Sequence, residues 1–475
     1  MTNAAHKSIF ALPMLSLLLL IGAAPLCAQE PRPAGSSTSP IPLVNVGQDQ
    51  TEPENGLAAD LTPLTGVQNP TLGTPEIRHS YWVPGIQWSG TIQSNSYDQT
   101  KNSPWLMNNY FIGNLSLLKA FSHSLFAVNY SGGGFVSTDS TQGNGYYQQL
   151  ALSQTFQWNR WTLLLLDQFS YLPQSSFGFG GGTNLGVPGA GSTIGPVIPG
   201  LGNSYVPNQS IYGSVGPRYS NASSVQVTYM TSPRSSLTVS GSYGLLNFVN
   251  SGNVDNDMTT ATIGYNYVLS RQDTIGVFYR FSAFHYSGQP QANGDHSVNM
   301  AYSRKLTGKL ALQFYVGPDF TTSRIAPPTG SSTSYGVNTG ATLHYALERS
   351  GLSANYSHGI SGGSGVLSGS KTDLLNFGLT HNLGRIWSGQ INMGYSHNSP
   401  IANLTTTAAP SFNTWNVGGG LNRSVGRYAT FGVAYNATIT DYGLATCAGT
   451  SCSSSQTYHY VTLNFQWHTR PFVLP

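Results

Sequence analysis

The stretch that decides the fold runs Leu150-Ala-Leu-Ser-Gln-Thr-Phe-Gln-Trp158, and its chemistry changes at every residue. One set of alternate positions carries large apolar side chains, namely Leu150, Leu152, Phe156 and Trp158. The other set carries small or polar ones, namely Ala151, Ser153, Thr155 and Gln157. Because successive side chains of a β-strand point to opposite faces, this alternation predicts a strand with one apolar and one polar surface.

The same alternation recurs from Tyr81 onward, and no helical period persists there. Further examples of the apolar face are Val225, Val227 and Tyr229; Leu310, Leu312, Phe314 and Val316; and Phe431, Val433 and Tyr435. Short turns alternate along the chain with longer connections rich in Gly, Ser, Asn and Pro. Counting the segments between these connections predicts about 16–18 strands, and an even number returns both ends of the sheet to the side of the short turns.

The composition fits a wall between lipid and water. Only 8% of the 475 residues are charged, against about 25% in an ordinary soluble domain, whereas 12% are aromatic. Uncharged polar residues mixed with aromatic ones suit strands with one face in lipid and one in water. A secreted β-solenoid or adhesin sandwich is the soluble alternative. The predicted fold class is all-β: a transmembrane antiparallel β-barrel with short periplasmic turns and long extracellular loops.

Three segments of different character follow one another. Residues 1–28 have the pattern of a signal peptide, with Lys7 before an apolar run and a predicted cut at Gln29; a membrane anchor and lipoprotein processing at Cys27 are the alternatives. Residues 29–80 are Pro-rich, acidic and aperiodic, which predicts a disordered periplasmic tail that stays in the periplasm, enters the pore or touches a partner. Residues 81–475 form the predicted barrel, with a long neutral connection over 173–217.

The last predicted strand carries Val461, Leu463, Phe465 and Trp467 on one face, and it resembles the terminal assembly strand of outer-membrane proteins. It departs from that pattern because residues 468–475 follow the final aromatic. The chain from Tyr81 to Trp467 resembles porin-like outer-membrane β-barrel proteins. The resemblance implies the outer membrane of a Gram-negative-type bacterium, with outer-membrane lipid, the barrel assembly machinery and small hydrophilic solutes as partners. A homotrimer is an analogy with general porins only.

Few charged residues fall in mid-strand, and these are expected to line the pore. Arg280 lies at the same alternate positions of its strand as Gly276 and Phe278, and so on the same face, which predicts an inward side chain. Asp167 follows the run Leu163–Leu166, where the register is ambiguous; the cost of a charge in lipid favours an inward position. Phe278, Tyr315, Tyr460 and His344 also have inward parity. The aromatic rings either stack on sugar rings or fill space against the long 173–217 connection, which resembles the constriction loop of porins without its acidic residues.

Basic residues concentrate at the short turns, and the predicted periplasmic rim comprises Arg160, Arg234, Arg271, Arg349, Arg385 and Arg427. There they would meet phospholipid headgroups and suppress pairing between strand edges, or bias ions along the pore. Acidic residues, Asp295 and Asp319 among them, are assigned to the longer connections. Cys447 and Cys452 lie in the last of these, and the oxidising export route predicts a disulfide between them.

No pattern in the chain points to catalysis, and neither a cofactor nor a metal is predicted. Gly359-Ile-Ser-Gly-Gly363 matches G-x-S-x-G by letters but lacks the strand-to-helix turn that gives the motif its meaning. No basic cluster favours nucleic acid. The predicted function is an outer-membrane porin-like channel for passive diffusion of small, mainly uncharged hydrophilic solutes, and not an enzyme. The alternatives are an exopolysaccharide export barrel and a non-conducting structural or adhesive outer-membrane barrel.

Overall fold

The computed structural model describes residues 64–65, 80–94, 105–138, 144–172, 217–249, 253–287, 291–307, 309–325, 330–363, 367–401, 411–442 and 455–474. The predicted signal peptide, the neutral connection 173–216 and the cysteine pair Cys447–Cys452 lie outside these residues, as does most of the predicted tail 29–80. In the part of the chain that is described, no helix is long and apolar enough to cross a membrane.

The described residues form nineteen β-strands in a single sheet. Their bounds are β1 Ser80–Ser94, β2 Trp105–Ala120, β3 Ser124–Ser137, β4 Gly145–Gln157, β5 Trp161–Leu172, β6 Arg218–Ser232, β7 Ser235–Phe248, β8 Asn256–Val268, β9 Asp273–Tyr286, β10 Gln291–Thr307, β11 Leu310–Ile325, β12 Ser331–Ala346, β13 Ser350–Ser361, β14 Ser370–Asn382, β15 Trp387–Pro400, β16 Phe412–Val425, β17 Ala429–Tyr442, β18 Ser455–His468 and β19 Phe472–Leu474.

Each strand from β1 to β18 pairs antiparallel with its neighbours in the chain, and β1 also pairs with β18. The sheet therefore closes on itself as a barrel of eighteen wall strands, so the predicted fold class is confirmed. Closure satisfies the backbone donors and acceptors of both edges, which a membrane wall requires because lipid cannot replace water as a hydrogen-bond partner.

The wall reverses the usual arrangement of polar and apolar side chains. On β16, Thr414 and Asn416 are buried whereas Trp415 and Val417 are exposed, and the same reversal occurs around the barrel. A soluble sheet would bury the apolar set, since the removal of apolar surface from water is its main stabilisation. An exposed apolar band outside and polar side chains inside are the organisation of a transmembrane β-barrel.

Aromatic residues border this apolar band at both of its edges. Near the short turns, the rings of Trp161 and Tyr229 lie 4.4 Å apart. Toward the opposite rim, the Tyr171 ring lies 4.6 Å from those of both Tyr146 and Tyr219. Two aromatic girdles of this kind mark the levels at which such a wall meets the two membrane–water interfaces.

The predicted short turns are confirmed. They follow β2, β4, β6, β8, β10, β12, β14 and β16, and so lie at one end of the barrel, which we call the short-turn rim. The six predicted rim arginines are exposed in or beside these turns: Arg160, Arg234, Arg271, Arg349, Arg385 and Arg427. Two ion pairs also lie there, Arg304 with Asp273 at 3.6 Å and Lys309 with Glu348 at 3.9 Å. That this rim faces the periplasm stays a prediction.

The residues after Trp467 lengthen the closing seam of the barrel. β19 pairs with the first residues of β1, through Ser80 with Leu474 and Trp82 with Phe472. The rings of Trp82 and Phe472 stack with their centroids 5.0 Å apart. The departure from the usual terminal strand thus has a structural role, because it covers the part of β1 that β18 does not reach.

We expect a chain ending at Arg470 to close less stably than the full chain. It loses the three β19 pairs and the Trp82–Phe472 stack, a ring contact worth about 0.5–1.5 kcal/mol. Urea unfolding in lipid vesicles would measure the loss. The matched control is Leu474→Ala, which keeps the stack; equal stabilities for the full chain and the shortened chain would contradict a role for β19.

Candidate lumen constriction

The inner wall of the barrel is lined mainly by amides and hydroxyls that bond to one another. One such group joins β13, β14 and β15: Ser361 Oγ lies 2.7 Å from Thr372 Oγ1, and Thr372 Oγ1 lies 2.9 Å from Asn398 Oδ1. On the other side of the barrel, Ser116 and Ser131 donate to Asn129 and Asn114. These groups can exchange hydrogen bonds with water or with the hydroxyls of a passing solute without moving a charge.

The described residues between β13 and β14, 362–363 and 367–369, lie against the inner wall of the barrel. β13 leaves β12 after the pair Thr339–His358, and Gly363 and Gly369 both adopt a φ of +89°, a conformation that side-chain-bearing residues rarely take. Leu367, between them, is buried. We call residues 362–363 and 367–369 the inward connection.

Side chains of β8 and β10 hold the inward connection against the far wall. Gln291 Nε2 and Asn293 Nδ2 donate to the Ser368 carbonyl at 2.9 and 3.1 Å. Asn256 Nδ2 donates to the Gly362 carbonyl at 3.3 Å. Since β8–β10 and β13–β14 are separated by β11 and β12, the connection bridges two parts of the inner wall and narrows the space between them.

Three charged side chains lie on the inner wall next to this bridge. Arg280 on β9 pairs with Ser297 on β10, which in turn pairs with Asp319 on β11. Asp295 lies two residues from Ser297 on the same face and accepts a hydrogen bond from Thr321 Oγ1 at 3.1 Å. Arg280, Asp295 and Asp319, which we call the lumen charge cluster, carry a formal net charge of −1 when all three are ionised.

The assignment of Asp295 and Asp319 to loops is wrong. Both lie within strands and face inward, with exposed fractions of 3% and 4%. Gly294 and the Gly317-Pro318 pair beside them look like turn signals in the sequence. Here these residues lie in long strands, β10 and β11, that continue past them toward the rim opposite the short turns.

Five of the six predicted pore-lining residues face the interior. Arg280, Phe278, Tyr315, Tyr460 and His344 all pair across the sheet with inward-facing neighbours; Tyr460, for example, lies between Gln93 and Asn436. Phe278 and Tyr315 meet edge to face, with ring centroids 5.9 Å apart. That any of the five contacts a permeating solute stays a prediction.

Asp167 is placed on the outer face instead. It shares its parity on β5 with Trp161, and it pairs with Ser223, which lies two residues from the exposed Val225. Its Oδ1 accepts hydrogen bonds from Ser223 Oγ at 2.5 Å and Asn221 Nδ2 at 3.2 Å. Leu164 and Leu166 occupy the inward positions. These two polar neighbours offset part of the cost of a carboxylate on the lipid side, which the sequence argument did not include.

Ser361, the central residue of the G-x-S-x-G match, has hydroxyl partners. Its Oγ lies 2.8 Å from Ser370 Oγ and 2.7 Å from Thr372 Oγ1. A hydroxyl cannot accept the serine proton as a general base does in nucleophilic catalysis. In the part of the chain that the structure covers, no group of three or more His, Cys, Asp or Glu side chains could hold a metal ion.

We expect Gln291→Ala with Asn293→Ala to release the inward connection. The double change removes both donors to the Ser368 carbonyl, each worth about 1 kcal/mol. Hydrogen–deuterium exchange of residues 367–369 should accelerate. Gln313→Ala, on the inner face of β11, is the control. Exchange as slow in the double variant as in the control would show that other contacts hold the connection.

The closed wall, the apolar outer band and the polar lumen define a transmembrane β-barrel with porin-like architecture. No family model and no curated protein sequence matches the chain. Among solved structures, it is similar to the outer-membrane protein opdK from Pseudomonas aeruginosa, with 8% identity and a TM-score of 0.41 over 82% of this chain and 99% of that one. A BenF-like porin from Pseudomonas fluorescens Pf-5 gives 10% identity and a TM-score of 0.41 over 83% and 99%. OccAB1 of Acinetobacter baumannii gives 10% identity and a TM-score of 0.41 over 84% of this chain and 100% of that one. The likeness is distant, so the function proposed below depends on this chain's own residues.

Proposed function

We propose that this chain is a channel of the Gram-negative-type outer membrane through which small, mainly uncharged hydrophilic solutes diffuse passively. The observation that carries the proposal is the inner wall of the closed barrel, which presents half-buried hydroxyls and amides such as those of Asn114, Ser116, Gln313 and Thr342. Neutral donors and acceptors replace part of the hydration of a polar solute without holding it.

The inward connection supports a small solute rather than a polymer. Its Ser368 and Gly362 carbonyls are held against β8 and β10 by three side-chain amides, which occupies space at the inner wall. The lumen charge cluster and the buried Arg218 on the inner face of β6 are of mixed sign, whereas a barrel that exports acidic polysaccharide would be expected to carry a lumen of strong uniform charge. These two features favour the channel over the export barrel.

A non-conducting structural barrel is the second candidate, and one observation favours it. Several inward side chains, including Thr414, Asn436 and Ser396, are 0% exposed. A wide water-filled pore would leave such side chains in contact with water. This candidate therefore differs from the channel in whether the interior ever opens.

Liposome swelling with the purified mature chain tests the proposal. We expect a neutral pentose to enter faster than a sugar acid of similar size, because the acid must pass Asp295 and Asp319. Planar-bilayer recordings should show steady conductance with weak ion selectivity. Faster entry of the sugar acid would contradict the proposed solute class. An absence of both swelling and conductance, in the wild type and also in the Leu64→Asp and Gly264→Ala variants, would favour the structural barrel.

A further inference from the structure

Leu64 and Thr65, which precede the first strand, lie against the inner wall of the barrel. Both side chains are buried. Their partners come from β8, β9, β10 and β11, which are consecutive strands of the wall. The predicted tail therefore touches the lumen at this point, one of the three positions that the sequence left open.

Asn266 on β8 holds Thr65 through both ends of its amide. Its Oδ1 accepts a hydrogen bond from the Thr65 backbone N–H at 3.1 Å, and its Nδ2 donates to Thr65 Oγ1 at 2.9 Å. The same Nδ2 lies 3.4 Å from Ser236 Oγ and 3.2 Å from Thr238 Oγ1, which orient the amide. A buried asparagine with this double contact is suited to a threonine, which offers a donor and an acceptor together.

Two inward glycines make room for the Thr65 side chain. A Cβ at Gly264 would lie 2.6 Å from Thr65 Oγ1 and 2.7 Å from its Cγ2, closer than any packed side chain tolerates. A Cβ at Gly276, on the next strand, would lie 3.1 Å from Thr65 Cγ2. The wall thus has a notch, formed by Gly264, Asn266 and Gly276, that Thr65 fills.

Leu64 occupies an apolar position beside this notch. It packs with Phe278 and Ala301, and Tyr315 lies against the same cluster. These are inward residues of β9, β10 and β11. The two aromatic rings that the sequence analysis assigned to the pore therefore cover a leucine of the chain's own N-terminal segment.

We propose that Leu64 and Thr65 are a built-in occupant of the lumen: Thr65 docks in the Gly264–Asn266–Gly276 notch, Leu64 packs beside it, and the docked pair obstructs the channel. The contacts are non-covalent and few, so the docked segment can be displaced without unfolding the wall. The part of the inference that concerns obstruction rests on the proposed channel function. The docking itself does not, and the two are tested separately.

A disulfide trap tests the docking. Thr65→Cys with Gly276→Cys, in a chain carrying Cys447→Ser and Cys452→Ser, places two thiols where a bridge can form with little movement, because the Gly276 Cβ position lies 3.1 Å from Thr65 Cγ2. Peptide mapping after mild oxidation should find the cross-link. Thr65→Cys with Gly378→Cys, an inward glycine of β14, is the matched control and should give none. Absence of the first cross-link, or equal yields from both pairs, would overturn the docking.

Single-channel conductance tests the obstruction. We expect Leu64→Asp, which leaves the wall unchanged, and Gly264→Ala, which fills the notch, each to raise the mean conductance about threefold or more by shifting the population to the undocked state. Gly378→Ala is the control, since its new methyl group would meet only Ser353 Oγ, at 3.0 Å. Conductance in both test variants equal to that of the conducting wild type would overturn the obstruction.

The two readouts separate failure of this inference from failure of the channel. A cross-link in a chain that stays silent in every variant would overturn the channel function and the obstruction together, and leave the docked segment as a structural brace. No cross-link in a chain that conducts would overturn the docking alone.

Discussion

Met300→Arg should destabilise the barrel by about 2–4 kcal/mol, the cost of an arginine on the lipid face near the middle of a membrane. Met300 points outward from β10 and has an exposed fraction of 68%, so no neighbour is displaced by the change. It lies between Tyr302 toward the short-turn rim and His296 toward the other, at a depth inside both girdles. Urea titration in lipid vesicles measures the loss.

Met300→Leu is the matched control, and it should leave the free energy of unfolding nearly unchanged because one apolar side chain replaces another in lipid. The comparison tests the central structural claim, that the exposed apolar face is a membrane surface. A wall that faces water would show no such loss, since an exposed arginine is harmless in water. If Met300→Arg were as stable as Met300→Leu, the barrel wall would not face lipid.

Asp295→Asn with Asp319→Asn should reverse the ion preference of the channel. The cluster then holds Arg280 alone, and its formal net charge, counted with both carboxyls ionised, changes from −1 to +1. Two unit charges 4 Å apart interact by about 1 kcal/mol even in water, so we expect the cation-to-anion permeability ratio to fall about fivefold or more. Arg280→Gln should raise it. Reversal potentials in a salt gradient give the ratio directly.

Asp167→Asn is the control for this series because it removes the same kind of charge from the outer face of the wall. We expect no change in the permeability ratio, since Asp167 is separated from the lumen by the sheet itself. A shift from Asp167→Asn as large as that from the lumen pair would mean that β5 has the opposite register. An unchanged ratio in the Asp295/Asp319 variant would remove the lumen charge cluster from the ion path.

The short-turn end of the fold follows closely from the sequence. Alternation with a period of two can be recognised within one strand, because successive side chains point to opposite faces and each face meets a single environment. The turns between strands are short, and their positions are bounded on both sides by apolar residues such as Trp158 and Trp161. Arg280 and Tyr460 lie in strands where apolar and polar residues alternate clearly. The sequence therefore predicts their inward side chains, and the structure confirms this orientation.

Two sequence predictions are wrong: the inward position of Asp167 and the loop position of Asp295 and Asp319. In the first case the residues of both strand faces are apolar, and in the second Gly and Pro inside a strand resemble a turn. The run Leu163–Leu166 is apolar on both faces, so only the pairing of Trp161 with Tyr229 reveals that Asp167 points outward. Gly294 and Gly317-Pro318 resemble the ends of strands, yet Gly294 pairs with Ala283 of β9, and the pairing of β11 with β12 continues through Gly317 and Pro318 to Arg324. Each of these features depends on a neighbouring strand that is distant in the sequence.

The alternation of side chains by itself determined that the strands of this protein have one apolar and one polar face, since that pattern requires only the geometry of a single strand. The tertiary structure alone decided what fills the inside. The inward connection and the Leu64–Thr65 contact have no periodicity, and they exist because Ser368 and Thr65 find amides on strands far away in the chain. Local patterns report which face of a strand meets lipid or water, whereas the contents of a lumen depend on which distant segments the closed wall brings together.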